Sequence, residues 1–438
     1  MLKAIKLTAA FALVAVVFSG QALPSFGKPV KPVKIPAATG WNSPVLVHSD
    51  EAHRETSLAM SPSDPNVQIV CAPSGVPNTD YNQSYFHISH DAGRSWKPMR
   101  VEGGPTDARN YTFEGGDCDV AFDAGGTMYS ADTWLWNLSV GHSSDAGKTW
   151  DGTPLAASGL VVDRPWLVGG PEGTVHITYQ DLQCCTPSTI WYTRSTDFGK
   201  TFTPTTSVAT AGPDGAFTWQ GNLVVAPNQK DLYLVYSRRQ GAAVGDLDDQ
   251  GPETLWVAVS HDAGASWKSN LIASLPNPIS YLYPSIGMDK GGMLHVVYSS
   301  KSKADRPVFY TFSKDKGESW SKPMPLLSGV AGFSPAVVGG PAGEAAVAWY
   351  GSPDPKAYDK AKADWYFYWA KVKGAGTTKL RISAGKTTTK PIFSGRSDIP
   401  EFETVRLDPA GRIHIGASAF FTRPDRSTGW AIYYQSER

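Results

Sequence analysis

One eight-residue pattern, S-x-D-x-G-x-[ST]-[WF], recurs along the chain as SHDAGRSW (89–96), SSDAGKTW (143–150), STDFGKTF (195–202), SHDAGASW (260–267) and SKDKGESW (313–320). Its aspartates, Asp91, Asp145, Asp197, Asp262 and Asp315, follow one another at 54, 52, 65 and 53 residues. A repeat of that length requires a solenoid, a propeller or an array, because one such unit cannot bury its apolar face alone. Each octet ends an alternating aromatic or β-branched run such as SYFHIS, TIWYTRS, TLWVAVS or PVFYTFS, so it reads as a tight turn after a strand. In such a turn the Asp carboxylate accepts backbone N–H bonds, the Gly adopts positive φ, and the aromatic ring packs between sheets. The five aspartates are therefore assigned to structure.

A second unit, strand–turn–strand, precedes each octet: 56–71 around SPSDPN, 117–132 around DAGG, 164–180 around GGPEG, 221–236 around APNQKD and 284–298 around DKGG. It continues past the last octet at 335–350 around GGPAG and 403–417 around DPAG, giving seven hairpins. Four strands per unit and seven units predict an all-β, seven-bladed β-propeller with four-stranded antiparallel blades, since radial closure protects strand edges. The last unit lacks an outer strand, and residues 44–48 are the segment expected to supply it. Turn-rich composition agrees: 43 Gly, 33 Pro and 15 Trp accompany only 18% charged residues.

Outside the repeats, Lys3 and Lys6, the apolar run 7–18 and the small residues around Ala22 form an export signal over 1–22. The Pro- and Lys-rich stretch 23–40 reads as an extended tether, and 41–438 as the propeller. The expected location is thus secreted or extracytoplasmic, with no integral membrane segment, because no later apolar run is long enough. Forty basic against forty acidic residues exclude a general nucleic-acid binder. Cys71, Cys118, Cys184 and Cys185 permit three complete pairings. Connectivity puts Cys71 and Cys118 at the same rim of adjacent blades, with Cys184 and Cys185 as competing partners. Nothing in the spacing suggests a metal site or a cofactor, although a structural cation stays open.

Connectivity also separates the faces. The octets and the DAGG-type turns share one face, and the starts of the innermost strands share the other. That second face collects Arg54, Glu55, Asp117, Asp119, Asp163, Arg164, Trp219, Gln220, Tyr283 and Glu403, joined by Asp80, Arg238 and Arg239 from loops after each second strand. Arginines that grip a carboxylate, rings that stack on sugars and paired carboxyls suit a glycan, specifically a sugar acid. Mutual pairing of these charges, plugging the channel, is the alternative.

The octets resemble the Asp-box, or bacterial neuraminidase repeat, of the sialidase superfamily, and DRPWL at 163–167 is similar to a sequence of sialidase-like secreted bacterial proteins. The resemblance spans 41–438. Sialidases proper have six blades, an alternative to the seven counted above. The family implies a glycoside hydrolase of exo-sialidase type, with an arginine triad, an Asp acid and a Tyr nucleophile activated by Glu. Arg54 in HRETSLAM and Arg238 in VYSRR match two triad positions, Asp80 the acid and Tyr283 the nucleophile, while Gln220 stands where the activating Glu is expected. Arg164, Trp219, Asp117, Asp163 and Glu403 complete the substrate-binding set. Two other readings remain: a uronate lyase on the same fold, using His53, Arg54, Arg164, Tyr179 and Tyr283, and a non-catalytic glycan- or protein-binding propeller.

Overall fold

The computed structural model describes residues 35–50, 55–73, 84–98, 116–134, 137–159, 162–181, 188–210, 217–239, 253–275, 284–300, 306–357, 360, 362–395, 403–422 and 428–438. Seven antiparallel sheets follow one another along the chain. Blade 1 begins with the inner strand Ser57–Met60, blade 2 with Cys118–Phe122, blade 3 with Val162–Gly169 and blade 4 with Phe217–Val225. Blades 5, 6 and 7 begin with Ser285–Met288, Ala331–Gly339 and Glu403–Leu407. Each is a four-stranded path from the axis outward, and blade 6 carries one extra strand, Phe393–Gly395, against its third. The count is seven blades, not six.

Ring closure follows the expectation for 44–48. Val45–Asp50 pairs antiparallel with Thr428–Ser436 as the outer strand of blade 7, so the two ends of the fold share one sheet. Packing includes described residues before Trp41: Ile35 and Trp41 are buried in the core of blades 6 and 7, and Ala37 bridges Thr388. Among the described residues no helix is long and apolar enough to cross a membrane.

The octets behave as one device. In all five, the Asp Oδ1 accepts the backbone N–H four residues on at 2.8–2.9 Å, and Oδ2 accepts that residue's hydroxyl at 2.5–2.6 Å. In the blade 4 octet Ser260 donates to Asp262 and accepts from the N–H of Gly264. These bonds, from Ser266 first and then Ser260, hold the Asp262 carboxyl down at about 2. Gly264 has φ +88°, and a Cβ there would lie 2.0 Å from the ring of Tyr192, so the turn is seated against blade 3. The N–H of Ala263 donates to the carbonyl of Lys230 in the inner hairpin turn of its own blade, which places both kinds of turn on one face. Asp262→Ala should therefore lower stability by about 1–2 kcal/mol, as loss of a side-chain cap does. Chemical denaturation with a parallel ligand assay checks this, and a variant as stable as the parent but functionally dead would contradict a structural role.

Cys71, closing the second strand of blade 1, is bonded to Cys118, opening the inner strand of blade 2, with Cα atoms 6.4 Å apart. Cys184 and Cys185 lie outside the described residues.

Candidate functional site

Opposite the octets, the inner strands of blades 1 to 3 begin side by side, and their first residues converge. Glu55 precedes the blade 1 strand, Asp117 precedes that of blade 2, Asp119 lies within it, and Asp163 and Arg164 open that of blade 3. The register explains why Arg164 points inward. Asp163 pairs with Gln180 and Trp166 with Thr178, so Arg164 and Pro165 together oppose a single residue in a β-bulge. Arg164 takes φ +34°, a conformation costly for a residue with a Cβ, roughly 1–3 kcal/mol, and sustained only where the surroundings fix it.

What fixes it is charge. Arg164 is 1% exposed, its N–H donates to Asp117 Oδ2 at 3.1 Å, and Nη1 reaches Glu55 at 3.7 Å and the Cys118 carbonyl at 3.4 Å. Its guanidinium also lies 4.5 Å over the Trp166 ring. Burial alone would raise the Asp117 carboxyl, but hydrogen bonds with Glu55 and Asp163, and Arg164 beside it, hold it below the usual range. A hydrogen bond between two carboxyl groups requires a proton on one of them. The cluster thus packs three carboxyl groups around one buried guanidinium.

Asp119 behaves oppositely. Burial pushes its carboxyl up, against the pull of Arg164, Ser57, Leu167 and Arg406. Its Oδ1 accepts the Ser57 hydroxyl and the Val120 N–H at 2.9 Å, and its Oδ2 accepts the Leu167 N–H at 2.7 Å. Every residue of DRPWL is thereby accounted for: Asp163 bonds Asp117, Arg164 sits in the bulge before Pro165, Trp166 underlies the guanidinium, and Leu167 ties to Asp119.

Below the mouth runs an axial cavity of about 360 Å³, walled by the inner strands of all seven blades. Its lining is mostly aliphatic, with Leu167, Leu223, Ile286 and Val337 among the walls, and among the described residues its charged groups are Asp119 and Arg406. Arg406 was not singled out from sequence; in ETVRL it reads as an ordinary polar strand position.

The remaining expected residues separate. Gln220 is fully buried, its amide donates to the Arg164 carbonyl, and its own N–H is bonded to Gln180 at 3.2 Å, which ties blade 4 to the cluster. Trp219 turns the other way and packs on Phe217 at 4.6 Å. Arg238 is half-buried opposite Thr218, and Arg239 pairs with Glu253 at 3.4 Å, both side chains fully buried. Arg54, Asp80, Tyr283 and the side chain of Glu403 lie outside the described residues.

Residues 33–296 match the BNR repeat-like domain. The chain belongs to that family. No curated protein matches it. Among solved structures, a protein of unknown function from Dyadobacter fermentans aligns over 92% of this chain and 100% of its own, at 14% identity and TM-score 0.52. An α-L-arabinanase of Penicillium chrysogenum complexed with arabinobiose aligns over 92% and 98%, at 14% identity and TM-score 0.50. A polysaccharide lyase, an ulvan lyase bound to -[GlcA(1-4)Rha3S]-, aligns over 90% and 96%, at 11% identity and TM-score 0.54. At these identities what the BNR repeat-like propeller shares with them is the fold.

Proposed function

We propose that this BNR repeat-like propeller is an exported glycan-acting enzyme, a glycoside hydrolase recognising a sugar acid, with its chemistry at the channel mouth between blades 1 and 3. The observation that supports the reading is the Glu55, Asp117 and Asp163 network around Arg164. Glycosidic hydrolysis needs a pair of carboxyl groups, one to protonate the leaving oxygen and one as base or nucleophile, and this network places three side by side, with Asp117 held below its usual range. The arabinanase and the ulvan lyase among the solved neighbours agree with a glycan as the ligand. The exo-sialidase form of the reading takes Tyr283 as nucleophile, Asp80 as acid, and Arg54 and Arg238 as carboxylate ligands. Gln220 cannot accept the proton in that form, so the carboxyl network would have to.

A second reading, glycan binding without turnover, is favoured by the same glutamine, whose amide is already committed to the Arg164 carbonyl. Incubating the mature protein with sialosides, arabinan and uronic-acid polysaccharides separates the cases. Released sugar with a new reducing end is the expected result. An unsaturated uronate product would assign a lyase instead, and retention on a glycan without product would assign a binding module.

A further inference from the structure

Arg406 stands apart from the carboxyl network. It comes from the inner strand of blade 7 and lines the axial cavity. Among the described residues its single hydrogen bond runs from Nη1 to the Val405 carbonyl at 2.9 Å, which leaves most of the guanidinium's N–H donors for the cavity. The other charged group of the wall does not satisfy them. Asp119 already accepts from Ser57, Val120 and Leu167, and it acts on Arg406 through space rather than as a bonded partner. A half-buried cation with open donors, facing a cavity walled mostly by aliphatic side chains, is compensated by water or by an anion. The volume, about 360 Å³, admits a monosaccharide-sized group.

We propose that Arg406 is the anion-binding residue of the axial channel, taking the carboxylate or sulfate of an acidic sugar. The sugar part of this inference rests on the glycan reading above, whereas the oxyanion part does not. A planar guanidinium suits either group because both present two oxygens at the spacing of its fork.

The test is calorimetric titration of the full-length mature protein with sodium glucuronate, glucose and sodium sulfate at constant ionic strength, repeated on Arg406→Gln. Glucuronate binding, absent for glucose and weakened roughly ten- to a hundredfold in Arg406→Gln, is the expected result. Sulfate binding lost in the same variant, without glucuronate binding, would keep the oxyanion site and assign it to a small anion, even if every glycan failed in the turnover panel. Neither anion binding, or both binding unchanged in Arg406→Gln, would overturn the site. Should the variant fail to fold, crystals of the parent soaked in sodium selenate give the answer without it. The anomalous peak is expected within hydrogen-bond reach of the Arg406 guanidinium, and a channel containing only water overturns the assignment.

Discussion

Arg164→Met is expected to lower the stability of the propeller by about 3–5 kcal/mol at neutral pH, the cost of leaving buried charge without its partner. The guanidinium is 1% exposed and lies among Glu55, Asp117 and Asp119, so methionine would fill much of its volume and supply none of its charge. The pH dependence distinguishes this from simple loss of packing. With Arg164 present, Asp117 titrates below its ordinary range, so its contribution holds above that range and fades as pH falls through the depressed value. Without the cation, one source of lowering is lost at both Asp117 and Asp119, so burial pushes both carboxyls further up. The variant should then lose stability as pH rises through those raised values and regain it on acidification. Urea titrations at pH 7 and pH 4 should show the gap between variant and parent narrowing at the lower pH. A gap of equal size at both would mean that the carboxyls do not depend on Arg164.

The same residue shows how far the site was legible in the sequence. That Asp117, Asp163, Arg164 and Glu55 share one rim follows from connectivity alone, because each sits at the start of an inner strand. Which way Arg164 points does not follow, since strict alternation along a strand fails at a bulge, and the bulge is visible only in the register around Pro165. Mutual pairing of the rim charges, raised as an alternative for the whole face, describes Arg164 itself. Arg406 was illegible for a related reason. An arginine in an innermost strand looks like any solvated strand residue until the closed ring decides that the face it occupies is a cavity wall.

The fold was far more legible, because the repeated octets carry their geometry in side-chain chemistry. Ser, Asp, Gly and Ser or Thr are linked by specific bonds that close the turn, so the spacing could be converted into strands and strands into blades. Even blade 7, which has no octet, could be closed, since its unit lacked an outer strand and residues 44–48 were expected to supply it, as the pairing of Val45–Asp50 with Thr428–Ser436 shows. Less legible was the start of the packed structure. Proline and lysine composition makes 23–40 read as a tether throughout, yet Ile35 finds a buried place against blades 6 and 7.

Removing the Cys71–Cys118 bridge should have a comparable effect, about 4 kcal/mol, and should reach the site as well as the fold. The two cysteines are 47 residues apart in sequence, and a cross-link of that span restricts the unfolded chain by roughly that amount. Both side chains are fully buried between blades 1 and 2, so Cys71→Ala with Cys118→Ala also leaves a small void in that core. The bridge anchors the start of the strand that carries Asp119 and directly follows Asp117, and the Cys118 carbonyl is itself a contact of Arg164. Loosening it should therefore speed hydrogen exchange at Val120 and Leu167, whose N–H groups are bonded to Asp119, before it affects the octets on the opposite face. Urea unfolding combined with exchange measurements tests both parts. Peptide mapping under non-reducing conditions that recovers Cys118 as a free thiol, or a double variant within about 1 kcal/mol of the parent, would show that the bridge does not hold this rim together.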